Sequence, residues 1–318
     1  MNIIKPTHEN ILSAANVIKS GGIAAFPTET VYGLGADALN PIAVARIFEA
    51  KARPFFDPLI VHIAEMPDMD KIAKKADAKS IKLMERFWPG PLTIILEKKD
   101  NLPHIVTSSL PTVAVRMPSN NIALELIKKS GTPIAAPSAN RFGCLSPTSA
   151  EHVYNQLGDS VDIIIDGGSC DFGIESAIIK ISEEKIFLLR HGAITREAIE
   201  EFMKEPVYDA ANDKIEAPGQ LPYHYSPDKQ IILMDKIAGI EDGCGYLFYK
   251  KPDFSAPINR TKILSAKGDL REAAANLFSH LHYLDGLDID KIYAEKIEEK
   301  SLGIAIMDRL NKASMKFY

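Results

Sequence analysis

The sequence predicts an α/β protein in two parts, and three observations lead there. Helical and strand periodicities alternate through the first two hundred residues. Residues 205–229, EPVYDAANDKIEAPGQLPYHYSPDK, then break the alternation with four prolines and little periodicity. A shorter run of strand and helix patterns follows. The expected architecture is an α/β unit over 1–205, a linker over 206–229 and a smaller α/β unit over 230–318, each with a mixed sheet.

The elements follow in chain order. Ile11, Leu12, Ala15 and Ile18 share one face of a helix over 8–19, and Gly21 stands where a cap is needed. A strand over 22–26 comes next. Asn40-Pro41 is an N-cap followed by proline at the first helical position, which opens a helix to about Lys51. PLIVHI (58–63) reads as a strand, and 69–87 as a long amphipathic stretch stopped by WPGP. LTIILEK, TVAVRMP and TPIAAPSAN are strands, the last two flanking a helix over 120–129 that Gly131 ends. Thr148 and Glu151 have capping-box spacing ahead of a helix over 149–157. VDIIIDGG, SAIIKI and IFLLRHG are strands, and a helix covers about 195–204. Beyond the linker, QIILMD, GYLFYK and RTKILS read as strands. Residues 269–284 and 290–298 read as helices, with a last helical segment near 303–312.

Bulk composition narrows the function classes. The 318 residues are 46% apolar and 25% charged, with a formal net charge of −5. Neither half carries a basic excess, which argues against a generic polyanion binder. The three cysteines, Cys144, Cys170 and Cys244, are odd in number and form no C-x-x-C, so neither a zinc knuckle nor a disulfide framework is indicated. No apolar run reaches signal-peptide or membrane-span length, and a reducing, cytosolic setting is expected.

The common nucleotide and hydrolase signatures fail. There is no G-x-x-x-x-G-K-[ST] and no G-x-S-x-G. Gly33-x-Gly35-x-x-Ala38 fits a relaxed dinucleotide fingerprint, but the helix signal comes only at Asn40-Pro41, so a plain strand-to-loop turn is the better reading. His280 and His282 would face different sides of a helix and are no metal pair. Nothing argues for covalent catalysis. What stands out is a recurrence of cations and hydroxyls at strand ends, where an open α/β sheet lines its ligand crevice. They are Thr28 and Thr30 in PTETVYGLGADA, Lys51-x-Arg53, His62, Arg116, Ser138-x-Asn140, the hydroxyls of SPTS (146–149), Ser176 and Arg190. Each alone has a bland explanation as a turn former, helix terminus or surface ion pair. Together they describe a polar, cationic crevice.

FPTETVYGLGADA, KARPFFDPLIVHI, TVAVRMP and PSANRFG together resemble the YrdC/Sua5 family of threonylcarbamoyl-AMP synthases. APGQLPYHYSPDK is similar to the Sua5 linker and KGDLREAAANLFSHLHYLDGLDIDKIYAE to the Sua5 C-terminal domain, so the resemblance spans nearly the whole chain in its two-domain form. It implies a YrdC-like α/β domain with a twisted, open mixed sheet and a concave active-site face, then a small Rossmann-like domain, with the linker folded over the site. It implies a reaction in which L-threonine, bicarbonate or CO2, and ATP with Mg2+ give threonylcarbamoyl-AMP and pyrophosphate. The product would serve N6-threonylcarbamoyladenosine formation at position 37 of tRNA, through a downstream tRNA threonylcarbamoyltransferase complex. Direct tRNA contact is a secondary expectation, and no membrane partner is expected.

Roles follow by position. The resemblance makes Lys51, Arg53, Ser138 and Asn140 catalytic. It gives Thr28, Thr30, Tyr32, His62, Arg116, Ala136 and Ser176 to threonine. It gives Lys51, Arg53, Asp57, Thr112, Ser138, Ser146, Arg190, Tyr223 and Tyr225 to ATP, and assigns no protein ligand to a metal. Asp57 stands where relatives often end in Asn-Pro, and either reaches ATP through Mg2+ or caps the following turn. The absence of a nucleophile fits, because a carbamate oxygen is already anionic and the step is one of positioning. Two other readings stay open: an RNA-binding module of this fold, and a carbamoyl-adenylate-forming transferase of the hydrogenase-maturation type.

Overall fold

Helix ends and strand faces are set by local chemistry that then builds two sheets. The computed structural model describes residues 2–210, 215–221 and 224–315. The strands of the first sheet are β1 (Ile3–Ile4), β2 (Ala24–Phe26), β3 (Gly33–Asp37), β4 (Ile60–His62), β5 (Leu92–Glu97), β6 (Thr112–Arg116), β7 (Ile134–Ala135), β8 (Ile163–Ile165), β9 (Ala177–Ser182), β10 (Lys185–Arg190) and β11 (Val207–Asp209). They lie in the order β1-β8-β2-β3-β7-β4-β6-β5-β9-β10-β11, with parallel and antiparallel pairs mixed. The second sheet holds β12 (Gln230–Met234), β13 (Cys244–Phe248), β14 (Thr261–Ile263) and β15 (Lys291–Glu295), all parallel, in the order β12-β15-β13-β14.

The helices are α1 (His8–Lys19), α2 (Pro41–Lys51), α3 (Ala78–Phe87), α4 (His104–Thr107), α5 (Asn121–Ser130), α6 (Ala150–Leu157), α7 (Arg196–Met203), α8 (Leu270–Asp285) and α9 (Leu302–Ser314). Asn40 caps α2 by accepting from the amides of Ile42 and Ala43, with Pro41 inside the first turn. The other end of α2 bears on function. Ala52 takes the left-handed conformation at φ 50°, so the chain reverses between Lys51 and Arg53 and both side chains turn inward.

The apolar interior lies on both faces of the large sheet. One cluster runs from Ile23 through Ile47, Leu83 and Val153, and another packs α1 and α5 against β2 and β8. The second domain has its own core around Leu277, Ile292 and Leu310, and it is continuous with Val31, Leu145, Ile174, Ala193 and Tyr225 from the rest of the chain. Gly173 permits that closeness, since a Cβ there would stand 2.4 Å from the carbonyl oxygen of Ala275 in α8.

Several expectations are corrected. Gly33–Asp37 is a strand rather than a turn, paired with β2 and β7. The stretch 69–87 is a 3-10 turn over Met66–Lys71 followed by α3, which Asp77 caps. Residues 290–298 hold β15, a central strand, because the parallel neighbours β12 and β13 satisfy its backbone on both sides. Ser149, not Thr148, caps α6 by accepting from the His152 amide. The large sheet continues to Asp209, into the stretch expected to be linker.

Candidate active site

Two parallel strands bring the first pair of functional side chains together. β4 and β6 are in register with His62 opposite Arg116, so both end at the same edge. The loop after β2 meets them there. Thr28 Oγ1 donates to the Val31 carbonyl at 2.6 Å and lies 2.8 Å from Thr30 Oγ1, which accepts from Arg116 Nη1 at 2.9 Å. With Thr28 spending its proton on Val31, the hydroxyls form one directed chain from Arg116 through Thr30 to Thr28. Arg116 Nε also donates to the Gly90 carbonyl at 3.3 Å. Its Nη2 lies 2.7 Å from Glu29 Oε1, and both partners are buried. Glu29 sits in the opening motif, yet nothing in the sequence named its partner.

His62 packs edge-on to Phe26 with ring centres 6.3 Å apart, and its Nδ1 is buried without a partner. Burial, with Arg116 nearby, pushes its pKa down to about 3, so the imidazole is neutral at pH 7. Tyr32 borders the same hollow, but its hydroxyl donates to the Gly168 carbonyl at 2.7 Å and is spent on that loop. Gly33 is in the lining and pairs with Ser138 across an isolated bridge. The space beside Gly35 is filled by Phe26 and Ile134, so that glycine serves packing rather than ligand approach.

Lys51 and Arg53 divide their tasks. Lys51 is buried, and its Nζ donates to the carbonyls of Ser138 (2.6 Å) and Asn140, holding the S-x-N turn from behind. Burial lowers its pKa well below the usual lysine value, with Arg53 acting in the same direction. Asn140 turns its amide to the carbonyls of Arg141 and Cys144, at 2.7 and 2.9 Å. Arg53 does border the hollow. It donates to the carbonyls of Asp57 (3.1 Å) and Pro58 (2.9 Å) and pairs with the Asp57 carboxylate at 2.9 Å. Asp57 is therefore an internal counterion of Arg53, and burial is the main force pushing its pKa up.

Arg190 closes the other side. Its Nε and Nη2 donate to the carbonyl and Oγ of Ser176, each at 3.1 Å, and Nη1 donates to the Pro218 carbonyl at 3.1 Å. Ser176 is thus a support for Arg190, braced by Thr93 Oγ1 at 2.8 Å. Ser146 donates to Glu175 Oε1 at 2.6 Å. Thr112 shares a strand face with Ala114 and Arg116 but lies roughly 13 Å along β6 from Arg116. Tyr223 lies outside the described residues. Tyr225, at φ 64°, is buried among His224, Phe278 and the hollow, with its hydroxyl unpartnered.

One cavity of ≈ 40 Å³ thus collects Thr28, Thr30, Tyr32, Arg53, His62, Arg116, Ala136, Ser138, Arg190 and Tyr225 from the expected set. Lys51, Asn140, Asp57, Ser146 and Ser176 brace its wall, and Thr112 stands apart. The cavity is small for a reason. Ala217 packs fully buried on Ile60, Ile95, Ala114 and Ile178, the apolar floor of the sheet, and Pro218 offers its carbonyl to Arg190. Ala217 and Pro218 of the expected linker thus sit on the floor of the sheet itself. Arg53, Arg116 and Arg190 all border the hollow; Asp57 and Glu29 offset the first two, and Arg190, held by carbonyls and a hydroxyl, is suited to an anion that replaces the linker carbonyl.

Comparison with known proteins gives the family. Residues 16–192 match the family model Sua5_yciO_yrdC, described as "Telomere recombination", and residues 194–315 match "Threonylcarbamoyl-AMP synthase, C-terminal domain". The chain is similar to the threonylcarbamoyl-AMP synthase of Pyrococcus abyssi, 42% identical with 95% of this chain and 93% of that protein covered. The Bacillus subtilis threonylcarbamoyl-AMP synthase is 40% identical over 96% and 92%. Among solved structures, P. abyssi Sua5 complexed with L-threonine superimposes with a TM-score of 0.89 at 40% identity, covering 99% of this chain and 98% of that one.

Proposed function

The chain belongs to the Sua5/YrdC family in its two-domain form, and from that premise we propose that its cleft makes threonylcarbamoyl-AMP and pyrophosphate from L-threonine, bicarbonate or CO2, and ATP. One observation carries the reading. The Arg116–Thr30–Thr28 chain and the group Arg53, Ser138 and Arg190 converge on a single hollow. One end suits an amino acid and the other a polyphosphate. The threonine complex of a 40% identical relative supports the choice of amino acid.

In this proposal Arg116 takes the threonine carboxylate, Thr30 and neutral His62 fill the polar pocket around it, and Ala136 presents backbone. The free amine adds to CO2 and loses its proton to solvent. A carbamate oxygen then attacks the α-phosphorus in line as the bond to pyrophosphate breaks. The chain supplies position and positive charge, and no side chain is covalently modified. Arg53 and Arg190 meet the phosphates, Ser138 donates beside them, and Lys51 with Asn140 fixes the turn that carries Ser138. Thr112 marks the far end of the floor on which the nucleoside would lie, once Ala217 and Pro218 leave it. Tyr225 shields the intermediate from water, which would hydrolyse both carbamate and adenylate.

Among the described residues no three His, Cys, Asp or Glu side chains gather to hold a metal. Mg2+ enters this proposal on the nucleotide, as part of the substrate. The product feeds tRNA threonylcarbamoylation by a separate transferase complex in the cytoplasm. Among the described residues no helix is long and apolar enough to cross a membrane. Threonine-dependent ATP–pyrophosphate exchange tests the site. Thr30→Ala and Arg116→Ala should each abolish most of it, and exchange unaltered by both would move the pocket elsewhere.

A further inference from the structure

Glu175 is an unexpected member of the cleft lining, since a carboxylate is a poor neighbour for a polyphosphate. Its charge is answered from the second domain. Glu175 Oε2 accepts from Arg309 Nε of α9 at 3.0 Å, and the two side chains are 7% and 0% exposed. Oε1 accepts from Ser146 Oγ at 2.6 Å. Arg309 Nη1 also donates to the His191 carbonyl at 2.7 Å, next in sequence to Arg190, and the guanidinium carbon lies 5.4 Å from the centre of the Tyr225 ring. Asp308 is close to Arg309 at 3.1 Å but is matched by Lys312 at 2.9 Å, which leaves Arg309 as the counterion of Glu175.

The wiring is specific. Glu175 precedes Ser176, whose carbonyl and hydroxyl hold Arg190, and Arg309 reaches the residues flanking both ends of that contact. A buried ion pair is a costly way to join two domains, because well-packed apolar groups would serve as well or better. We infer that Arg309 is a positioning residue supplied by the second domain, which cancels the Glu175 charge and holds the Ser176–Arg190 wall so that the cleft accepts the phosphates of ATP. This rests on the assignment of the cleft to ATP and adds a reason for the second domain's presence.

The test is steady-state pyrophosphate release by the full chain, with ATP and threonine varied separately, and threonine binding measured by calorimetry without nucleotide. Arg309→Gln should raise KM for ATP about tenfold, the scale of one uncancelled charge in partly hydrated protein. Threonine affinity should stay within about twofold. Glu175→Gln alone should lower KM for ATP, because the cleft lining then carries one negative charge fewer. Glu175→Gln added to Arg309→Gln should recover most of the loss. A purely structural pair would lower the melting temperature of each single variant and restore it in the double, with KM for ATP staying within about twofold throughout, and that pattern overturns the inference. If Arg309→Gln does not fold, Glu175→Gln decides alone: a rise in KM for ATP beyond about threefold contradicts it. Absence of threonine-dependent turnover in the unsubstituted chain would overturn the functional reading together with this inference. Intact turnover with an unrescued double variant overturns the inference only.

Discussion

Arg116 and Glu29 form a buried pair, so removing one leaves the other uncompensated. Arg116→Ala should abolish detectable threonine binding and also lower stability by about 3–5 kcal/mol. Adding Glu29→Gln should recover much of the melting temperature but none of the binding, a separation read by calorimetry beside thermal melts. Ala52 gives a second, independent expectation. It holds φ 50° without being glycine, so Ala52→Gly should raise stability by up to about 1 kcal/mol in urea unfolding. At this scale Thr30, Arg53, His62 and Arg116 were legible because hydroxyls and cations at strand ends have few structural uses in number. Glu29 was visible but its partner was not, since Arg116 lies 87 positions on and only the fold brings them together. Glu175 and Arg309, 134 residues apart, gave no local sign at all.

At the scale of elements, the proposed reaction turns on the linker. Ala217 is 0% exposed on the sheet floor and Pro218 occupies Arg190, so in the proposed reaction ATP displaces this segment to reach the sheet. A cysteine placed by Ala217→Cys should label slowly in the free protein. A non-hydrolysable ATP analogue with threonine should speed it by about tenfold or more, read by peptide mass mapping. The comparison with unliganded protein sets the scale of local opening. An unchanged rate would mean that the nucleotide lies elsewhere. The prolines mark an irregular segment, but the seat of Ala217 on the floor was not legible in the sequence. Element type failed where tertiary pairing overrode composition. The Lys, Glu and Ala of residues 290–298 favour a helix, yet Ile292 and Ala294 are buried in a central strand. The glycines of β3 mimic a turn, yet at Gly35 Phe26 and Ile134 leave no room for a side chain.

Across the whole molecule, burial keeps histidines neutral on both sides of the domain contact. His62 and His282 are pushed down to about 3 and His280 to about 4, and His152 and His224 are lowered too, with burial the leading cause in each. His152 and His282 stack with ring centres 3.9 Å apart across that contact. An unfolded chain takes up these protons below about pH 6.5 while the folded one does not. The stability they contribute is therefore complete above pH 6.5 and is lost as pH falls toward 3 to 4. The urea midpoint should drop from pH 7 to pH 5, and His282→Gln should flatten the slope. The two-domain plan was legible in the alternation and its proline-rich break, whereas the shared core through Val31 and Tyr225 was not. The central claim, that one cationic hollow joins a carbamate to a nucleotide without a protein nucleophile, meets its most direct test in mass spectrometry of a quenched reaction. With ATP, L-threonine and carbon-13 bicarbonate, the account predicts a labelled threonylcarbamoyl-adenylate, with serine giving far less. Pyrophosphate released without that labelled adenylate would contradict it.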